Sequence, residues 1–446
     1  MNWRKPLIYF LLYATGSKIP KYLEQIKKCE YLSAEQLEDL TNNKLEKLLL
    51  HAYNNVPYYH RTLSECGAIL DGRVILENFQ NIPILTKEII RNEGEKLYSK
   101  DYENRKPYKN TSGGSTGEPV EFVQDKQYDQ WNTAIKLYFN SLLGKEPGEG
   151  EIKLWGSDRD IIKGTVGLKE RIINFLYNRK FFNSYRFGSE EVCDLIELNN
   201  RFKPTVYWSY MESALELAKY LQANDKHFLS PKFAISTIGP LAEDVQRQIE
   251  EGMQCKVYNQ YGSREVGGIA CQCRYQGGLH TFPWFNYVEV VGENSKTIQD
   301  GEGEVLVTTL ENYSMPLIRY EIGDAAVVGD SRCLCGRNSF QLKKVIGRTL
   351  GYFKKSDGSL VHSHFIVQSL FFRSWLKQFQ IIQDRMGHIS IKLELHKGFE
   401  PSEEDVKDIK KKTRILMGQN CEVEFVLVDK IERSPSGKYL YTICEI

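Results

Sequence analysis

Helical and strand-like patterns alternate through the middle of the chain. Residues 212–222 carry apolar side chains at helical spacing, and residues 233–239 form an apolar run with strand character. A second amphipathic helix is predicted at 241–253, and a strand leads from it to Tyr261. Helices that alternate with buried strands cover the faces of a sheet, so the sequence predicts an α/β fold with a sheet flanked by helices.

The pattern changes after Gly347. Residues 389–395 alternate strictly between apolar and polar side chains, which predicts a half-buried strand. A helix capped by Ser402 and ended by Gly418 follows, and 421–427 forms another strand. The sequence therefore predicts a small α+β unit at the C-terminus, with a boundary near Gly347.

A stretch rich in glycine and hydroxyl residues runs from Asn110 to Pro119. Glycine lets backbone N–H groups approach an anion closely, and successive amides can form an anion-binding nest. No Gly-Lys-Ser/Thr sequence is present, which excludes a Walker A loop. A flexible surface turn remains the alternative interpretation. The candidate phosphate-binding residues are Ser112, Gly113, Gly114, Ser115, Thr116 and Gly117.

Four shorter motifs carry further candidate ligands. Tyr261 begins a Tyr-Gly-x-x-Glu motif after a strand-like run, and its Glu265 is an oxygen ligand of the type that Mg²⁺ prefers. Asp324 closes a predicted glycine turn, where its carboxylate could accept two ribose hydroxyl protons. Arg348 follows a glycine, and Lys438 lies on a Pro/Gly turn that could swing its charge onto a phosphate. Taken singly, each motif also fits a surface turn or a solvated ion pair.

The order of these motifs resembles that of the adenylate-forming enzyme superfamily, which includes acyl-CoA synthetases, peptide-synthetase adenylation domains and luciferases. The resemblance covers roughly residues 40–446. Residues 48–59 and a Cys/His set indicate the branch of phenylacetate–CoA ligases and their CapK-like relatives in capsular polysaccharide gene clusters. The resemblance implies a large N-terminal AMP-binding domain at 1–346, with a helical segment at about 1–75. It also implies a small mobile domain at 347–446.

The resemblance assigns nucleotide contacts to specific residues. It implies that 112–117 grip the ATP phosphates and that Tyr261 lies beside the adenine and acyl groups. It places Asp324 at the ribose, and Arg348 near the ribose and the interdomain hinge. One departure concerns the hinge itself, because Leu350 stands where the family usually has an acid.

The same resemblance implies the reaction. Glu265 would associate with Mg²⁺, and Lys438 would bridge the carboxylate and the α-phosphate during adenylation. The expected function is ATP-dependent activation of a carboxylic acid, followed by transfer to CoA. Transfer to a carrier-protein thiol or to a sugar amine in surface polysaccharide assembly is the second hypothesis. A zinc-containing scaffold with an inactive nucleotide site is the third.

The acyl pocket is also placed by resemblance. It is expected between segments around Trp155, Gly156, Tyr210, residues 238–240 and Tyr261.

Ten cysteines occur in the chain, and four of them form two Cys-x-Cys pairs. The pairs are Cys271 with Cys273, and Cys333 with Cys335, and His280 follows the first pair. Thiolates and one imidazole can form a closed tetrahedral Zn²⁺ site, whereas four free thiols are the alternative. The family resemblance selects Cys273, His280, Cys333 and Cys335 as a structural zinc site and leaves Cys271 outside it.

Composition and charge give no support for a nucleic-acid-binding or a secreted protein. The 59 basic and 58 acidic residues give a net charge of +1, so nothing indicates a nucleic-acid-binding protein. Many thiols fit a reducing compartment, and the expected location is cytoplasmic. Residues 1–16 could be read as a signal peptide, but no cleavage site follows clearly. A short amphipathic helix that packs on the body or touches the inner membrane surface is the preferred interpretation.

Overall fold

A computed structural model of the chain describes most of its residues. These are 2–112, 120–155, 167–183, 189–224, 226–237, 241–292, 294–330, 332–348, 352–356, 360–363, 366, 369, 370, 373, 375–431 and 442–446. The chain divides into two compact units. Unit 1 comprises Met1–Thr111, Glu121–Ile322 and Ala326–Val345, and unit 2 comprises Ser112–Val120, Gly323–Ala325 and Ile346–Ile446. The roles predicted for 1–346 and 347–446 stay predictions.

Helices dominate the start of unit 1. They are α1 Arg4–Ala14, α2 Ile19–Cys29, α3 Ala34–Asn55, α4 Pro57–Glu65 and α5 Lys87–Glu93. The start of α3 is a capping box, in which Ser33 and Gln36 exchange backbone-to-side-chain hydrogen bonds. The helix ends before Pro57, which begins α4. Short elements follow: β1 Ile69–Leu70, β2 Arg73–Val74 and the 3₁₀ turns Leu76–Asn81, Gly94–Leu97 and Tyr102–Arg105.

The first helix exposes aromatic side chains. Phe10 is 66% exposed and Tyr13 is 69% exposed, and Trp3 lies just before the helix with 52% exposure. No helix in the described part of the chain is long and apolar enough to cross a bilayer. Contact of this segment with a membrane surface stays a prediction.

The centre of unit 1 is a mixed sheet. It follows the hairpin of β3 Tyr108–Thr111 and β4 Glu121–Gln124. Its strands are β5 Glu151–Trp155, β6 Arg179–Asn183, β7 Val206–Ser209, β8 Phe233–Ser236, β9 Lys256–Ser263, β10 Gly267–Gln272, β11 Leu279–Thr281, β12 Asn286–Val291, β13 Glu302–Thr309, β14 Tyr320–Val328 and β15 Gln341–Arg348. Within the described residues the strand order is β12-β13-β14-β15-β11-β10-β9-β8-β7-β5-β6. Strands β5 to β9 run parallel, whereas β9, β10, β11 and β15 pair antiparallel.

Helix α6 Lys126–Leu142 precedes the parallel strands. Four further helices connect those strands, as the alternating sequence pattern predicts: α7 Leu168–Leu176, α8 Ser189–Phe202, α9 Met211–Ala223 and α10 Glu243–Met253. Helix α6 packs its aromatic residues against the sheet, where Phe139 meets Trp208 edge to face with ring centroids 5.9 Å apart. On its other side Trp131 stacks on Tyr22 of α2 at 4.4 Å. Burial of each such ring contributes about 1.5–3 kcal/mol, so α6 joins the N-terminal helices to the sheet.

Unit 2 has its own α+β core. Strands β18 Leu376–Arg385, β19 His388–Leu395, β20 Glu422–Leu427 and β21 Thr442–Cys444 form a sheet in the order β20-β19-β18-β21, and β16 Tyr352–Lys354 pairs with β17 Leu360–His362. Helix α11 Glu403–Met417 starts where the hydroxyl of Ser402 accepts a hydrogen bond from the Asp405 N–H. It ends at Gly418, whose φ of 109° suits only glycine. The predicted cap, helix and strands are therefore present.

Element boundaries differ from the prediction by a few residues. The strand predicted at 233–239 ends at Ser236, and the helix predicted from 241 starts at Glu243. Strand β9 continues through Tyr261 to Ser263, because it forms a hairpin with β10 that a single-strand pattern does not reveal.

Candidate functional site

Ser112 fastens the predicted phosphate-binding segment at its base. Its N–H donates to the Val120 carbonyl at 2.9 Å, and its hydroxyl accepts from the Val120 N–H at 2.9 Å. The hydroxyl of Ser112 is thus already engaged by backbone. The other residues predicted for this segment, and the predicted catalytic lysine, lie outside the described residues: Gly113, Gly114, Ser115, Thr116, Gly117 and Lys438.

The predicted magnesium ligand lies on the β9–β10 hairpin. Tyr261 is inside β9, and Glu265 occupies the turn, where it is only 6% exposed. The side-chain amide of Gln124 donates to the carbonyl of Glu265 at 3.0 Å and to that of the preceding residue at 2.8 Å. A Cβ at Gly262 would lie 2.4 Å from the carbonyl oxygen of Gly267, so the hairpin requires glycine there. The motif spacing therefore reflects a tightly constrained turn.

The backbone around Asp324 differs from the predicted turn. Asp324 lies inside strand β14, which runs from Tyr320 to Val328. The preceding Gly323 has a φ of 83°, which glycine adopts without steric cost. The glycine therefore introduces a local irregularity while the strand continues. Arg348 ends β15 and its side chain is not described, and Leu350 lies outside the described residues.

Arg319 is a buried cation that the sequence analysis missed. It is 1% exposed, and its guanidinium donates to the carbonyls of Gln80 at 2.7 Å and Ile82 at 2.8 Å. A third bond reaches the carbonyl of Ser295 at 2.8 Å, and Nε lies 3.3 Å from Glu289. Burial raises the pKa of Glu289, and the charge of Arg319 opposes that shift. The only sequence signal was a single arginine within the apolar run 317–320.

Four predicted metal ligands converge in unit 1. The ligand atoms of Cys273, His280, Cys333 and Cys335 all lie within 4.8 Å of one another. The sulfurs of Cys273 and Cys333 are 3.6 Å apart, and the Cys335 sulfur is 3.4 Å from His280 Nε2. We call this group the Cys–His cluster. Cys271 lies outside it, fully buried in the apolar core.

This donor set fits a tetrahedral zinc ion. Sulfur at about 2.3 Å and nitrogen at about 2.0 Å from one ion would stand roughly 3.5–3.8 Å apart, close to the separations observed. Ser339 Oγ lies 3.3 Å from Nδ1 of His280, which leaves Nε2 to face the sulfurs. Burial and the charge of Arg337 lower the pKa of His280 to about 4, so its imidazole is neutral, as a ligand must be.

Arg337 links the Cys–His cluster to the N-terminal helices. Its Nε donates to the hydroxyl of Tyr138 on α6 at 3.2 Å, and its guanidinium pairs with Glu30 beside α2. Burial alone would raise the pKa of Cys335, but hydrogen bonds from Arg337 outweigh it and lower that pKa. The neighbouring Asn338 donates to the Leu32 carbonyl at 2.9 Å. The cluster therefore lies where three distant parts of the chain meet.

Two of the segments predicted for the acyl pocket meet at the edge of the sheet. Trp155 ends β5, and its ring centroid lies 5.0 Å from that of Tyr210, just after β7. Gly156 and residues 238–240 lie outside the described residues. The carboxyl ends of parallel strands are the usual ligand-binding edge of α/β sheets.

Comparisons with known proteins bear on both units. A family model described as the CapK C-terminal domain matches residues 353–445. Protein CapK of Staphylococcus aureus is 23% identical over 95% of this chain and 92% of its own length. The phenylacetate–coenzyme A ligase of Thermus thermophilus is 26% identical over 72% of each chain. The chain is a homologue of CapK and of the phenylacetate–coenzyme A ligases.

A solved structure confirms the fold class. The crystal structure of 2-hydroxyisobutyryl-CoA ligase in the postadenylation state, in complex with R3-HIB-AMP, superposes on this chain with a TM-score of 0.66 at 18% sequence identity. The superposition covers 94% of this chain and 91% of the ligase. The predicted family resemblance and the predicted α/β fold are confirmed. The named ligases among its homologues and structural neighbours belong to the adenylate-forming, acyl-CoA type, so the prediction of a ligase is confirmed at that level.

Proposed function

We propose that this protein uses ATP to convert a carboxylic acid into an acyl-adenylate and then transfers the acyl group to CoA. The observation that carries the proposal is the homology to phenylacetate–coenzyme A ligases at 23–26% identity. The buried hairpin that presents Glu265 supports it, because a constrained turn can hold a carboxylate in place for a ligand.

The proposed chemistry requires positioning more than a protein nucleophile. The substrate carboxylate attacks the α-phosphorus of ATP, and the bond to the pyrophosphate oxygen breaks. Lys438 would stabilise the charge that develops between the carboxylate and the α-phosphate. Glu265 would hold Mg²⁺, which supplies neutralisation of phosphate charge when bound. In the second step the CoA sulfur attacks the acyl carbonyl, and AMP leaves.

Nucleotide contacts are proposed for the remaining predicted residues. Residues 112–117 would receive the phosphates, and Asp324 would accept the ribose hydroxyl protons. Tyr261 would lie beside the adenine and acyl groups, and Arg348 near the ribose. Ser112 supports this arrangement, because its pairing with Val120 holds the base of the segment.

The Cys–His cluster is proposed to hold one structural Zn²⁺. All four positions would be filled by protein, so a catalytic role for the ion is not proposed. Cys333 and Cys335 flank the strongly exposed Leu334, and Gly336 donates to the Cys333 carbonyl at 3.0 Å, which forms a tight turn of the kind that presents two thiols together.

A different acyl acceptor is the second candidate function. The match of residues 353–445 to the CapK C-terminal domain, and the CapK homology over 95% of the chain, favour the polysaccharide-associated branch. In that branch the acyl group would pass to a carrier-protein thiol or a sugar amine. An inactive zinc-containing scaffold is the third candidate and would show no adenylation.

Isotope exchange between pyrophosphate and ATP, screened over aryl, fatty and amino acids, tests the first half-reaction. We expect exchange that depends on one class of acid, and no exchange with any acid would contradict the proposal. Mass spectrometry of reactions supplied with CoA then separates the acceptors. Exchange without any acyl-CoA would favour the carrier-protein or sugar-amine alternative.

A further inference from the structure

A group of charged side chains lies at the start of β5 and β6 in unit 1. Glu151 is buried, and its two carboxylate oxygens contact Lys145 at 3.0 Å and Arg179 at 2.9 Å. Lys153 Nζ is 3.6 Å from the same carboxylate, beyond ordinary hydrogen-bond length. We call these four residues the Lys153 cluster. It contains three cations and one anion.

Lys153 points from this cluster into an aromatic surface. In the parallel sheet it is flanked in register by Phe181 on β6 and Trp208 on β7. Its ammonium lies 5.9 Å from the Phe181 ring centroid and 5.4 Å from those of Trp208 and Trp155. Side chains two residues apart share a strand face, so Lys153 lies one step before Trp155 at the carboxyl edge of β5.

Helix α6 carries a further lysine one turn before Phe139, the residue that contacts Trp208. Lys136 is exposed to solvent, and among the described residues it forms no ion pair.

The same surface has an unused hydrogen-bond donor. Trp208 is 6% exposed, and its indole N–H has no hydrogen-bond partner among the described residues. A buried donor without a partner costs about 1–3 kcal/mol. Burial and the positive charge of Arg179 lower the pKa of Lys153 to about 7. Among the described residues, the cations of the Lys153 cluster outnumber its one carboxylate, so a bound anion would balance that charge and could accept a hydrogen bond from the indole N–H.

We propose that the acid activated by this protein carries a second anionic group, a carboxylate held by Lys153, so that its substrate is a dicarboxylic acid. This inference rests on the proposed adenylation, because it places the far end of the acid at the surface beside Trp155. One carboxylate would be adenylated, and the other would stay ionised against the ammonium of Lys153. Aromatic rings around that ammonium would contact the carbon chain between the two carboxylates.

The test compares acids that differ by one carboxylate. The pairs are adipate with hexanoate, and p-phenylenediacetate with phenylacetate, in the pyrophosphate exchange assay. Wild-type protein should favour the diacid of at least one pair. Lys153→Met should lower that preference by about 10–100-fold, because a charge-assisted hydrogen bond is lost. Lys180→Met is the matched control, since Lys180 is the exposed neighbour on β6 and faces the other side of the sheet.

Calorimetric binding of the same acids without ATP separates this inference from the proposed function. If no acid supports exchange but a diacid binds in a Lys153-dependent manner, the adenylation proposal fails and the anion site stands. Equal use and equal binding of mono- and diacids by wild type would overturn the inference. A diacid preference that survives Lys153→Met would overturn it as well.

Discussion

The Cys–His cluster and the Lys153 cluster are both buried groups of polar side chains in unit 1, but they differ in how complete they are. In the Cys–His cluster four donors surround a single point, and Arg337 and Ser339 hold the outer positions. In the Lys153 cluster three cations share the one carboxylate of Glu151. The first group could hold an ion of defined size, whereas the second has more cations than anions among its described residues.

The two clusters should therefore respond differently to substitution. A closed set of donors joins distant segments, so its loss should lower the free energy of unfolding and leave substrate affinity unchanged. The Lys153 cluster, in which Lys153 lies next to Trp155 on the same strand face, should instead affect which substrate binds.

The largest effect is expected at the Cys–His cluster. Replacing both Cys333 and Cys335 with Ser should remove bound zinc and lower the free energy of unfolding by more than ~5 kcal/mol, since metal binding contributes directly to folding. Elemental analysis and thermal unfolding measure this. Cys271→Ala is the control, because Cys271 lies in the core outside the cluster, and it should retain the metal. Zinc retained by the double variant would refute the ligand set.

The next effect concerns the carboxylate of the Lys153 cluster. Glu151→Gln removes the one carboxylate that the described residues place beside these three cations, and it should lower the free energy of unfolding by about 3–5 kcal/mol, as for other broken buried pairs. Glu146→Gln is the control, because Glu146 forms an exposed ion pair and should change stability by less than about 1 kcal/mol. Urea unfolding at neutral pH measures both. Equal stability of the two variants would show that Glu151 is not the counter-ion.

The contribution of Glu151 to stability should depend on pH. Burial would raise the pKa of Glu151, but the charges of Arg179, Lys145 and Lys153 outweigh it and hold that pKa far below its ordinary value. Its contribution to stability is therefore complete above about pH 4.3 and is lost as pH falls. Wild-type stability should fall more steeply with acid than that of Glu151→Gln. Parallel pH curves would contradict this reasoning.

Lys438→Ala should remove adenylation while leaving the fold intact. Loss of a positioned charge at a developing phosphoryl charge should cost on the order of 3 kcal/mol in the activation free energy, with ATP binding largely retained. Pyrophosphate exchange and nucleotide binding measure the two effects. Lys411→Ala on the exposed face of α11 serves as the control. Pyrophosphate exchange at the wild-type rate by the Lys438 variant would contradict the role of Lys438 in adenylation.

Asp324→Ala should weaken ATP binding by about 10–100-fold, since two hydrogen bonds to a charged acceptor are lost. Thermal unfolding without nucleotide should change little. Asp39→Ala, on the exposed face of α3, is the control. An unchanged KM for ATP in the Asp324 variant would contradict the proposal that Asp324 binds the nucleotide.

The smallest effect is expected for Glu265→Gln. It should raise the Mg²⁺ concentration needed for half-maximal exchange several-fold, because an amide oxygen is a weaker ligand for a hard cation than a carboxylate oxygen. The amide preserves the shape of the hairpin, so stability should hold. An unchanged Mg²⁺ titration would show that Glu265 has another role.

The two clusters also differ in how far the sequence could predict them. The Cys–His donors lie in a local pattern of two Cys-x-Cys pairs and one histidine, and the structure brings together four of these five residues, leaving out Cys271. Residues 151–155 read Glu-Ile-Lys-Leu-Trp, which resembles a strand with one solvated face. Glu151 on that face is buried, and its partners Lys145 and Arg179 come from outside the strand. Sequence periodicity contains no information about such partners.

Prediction of the fold from local sequence patterns also fails where contacts are distant in sequence. The alternating helices and strands, and the Ser402 cap, were predicted from local patterns and are present. The turn expected at Asp324 was wrong, because strand pairing carries the backbone through Gly323. Arg319 was missed for a similar reason, since its carbonyl acceptors at Gln80 and Ile82 are more than 230 residues away. Non-local hydrogen bonds decided each of these positions.

The contact of Arg337 with Glu30 has a consequence for synthesis. The two residues are 307 positions apart, so the end of α2 leaves the ribosome long before its partner exists. At about 5–20 residues per second the delay is roughly 15–60 seconds. During that interval the apolar faces of α2 and α3 have no finished sheet to cover them. The final packing of the N-terminal helices, with the contact between Glu30 and Arg337, therefore forms only after most of the chain has been made.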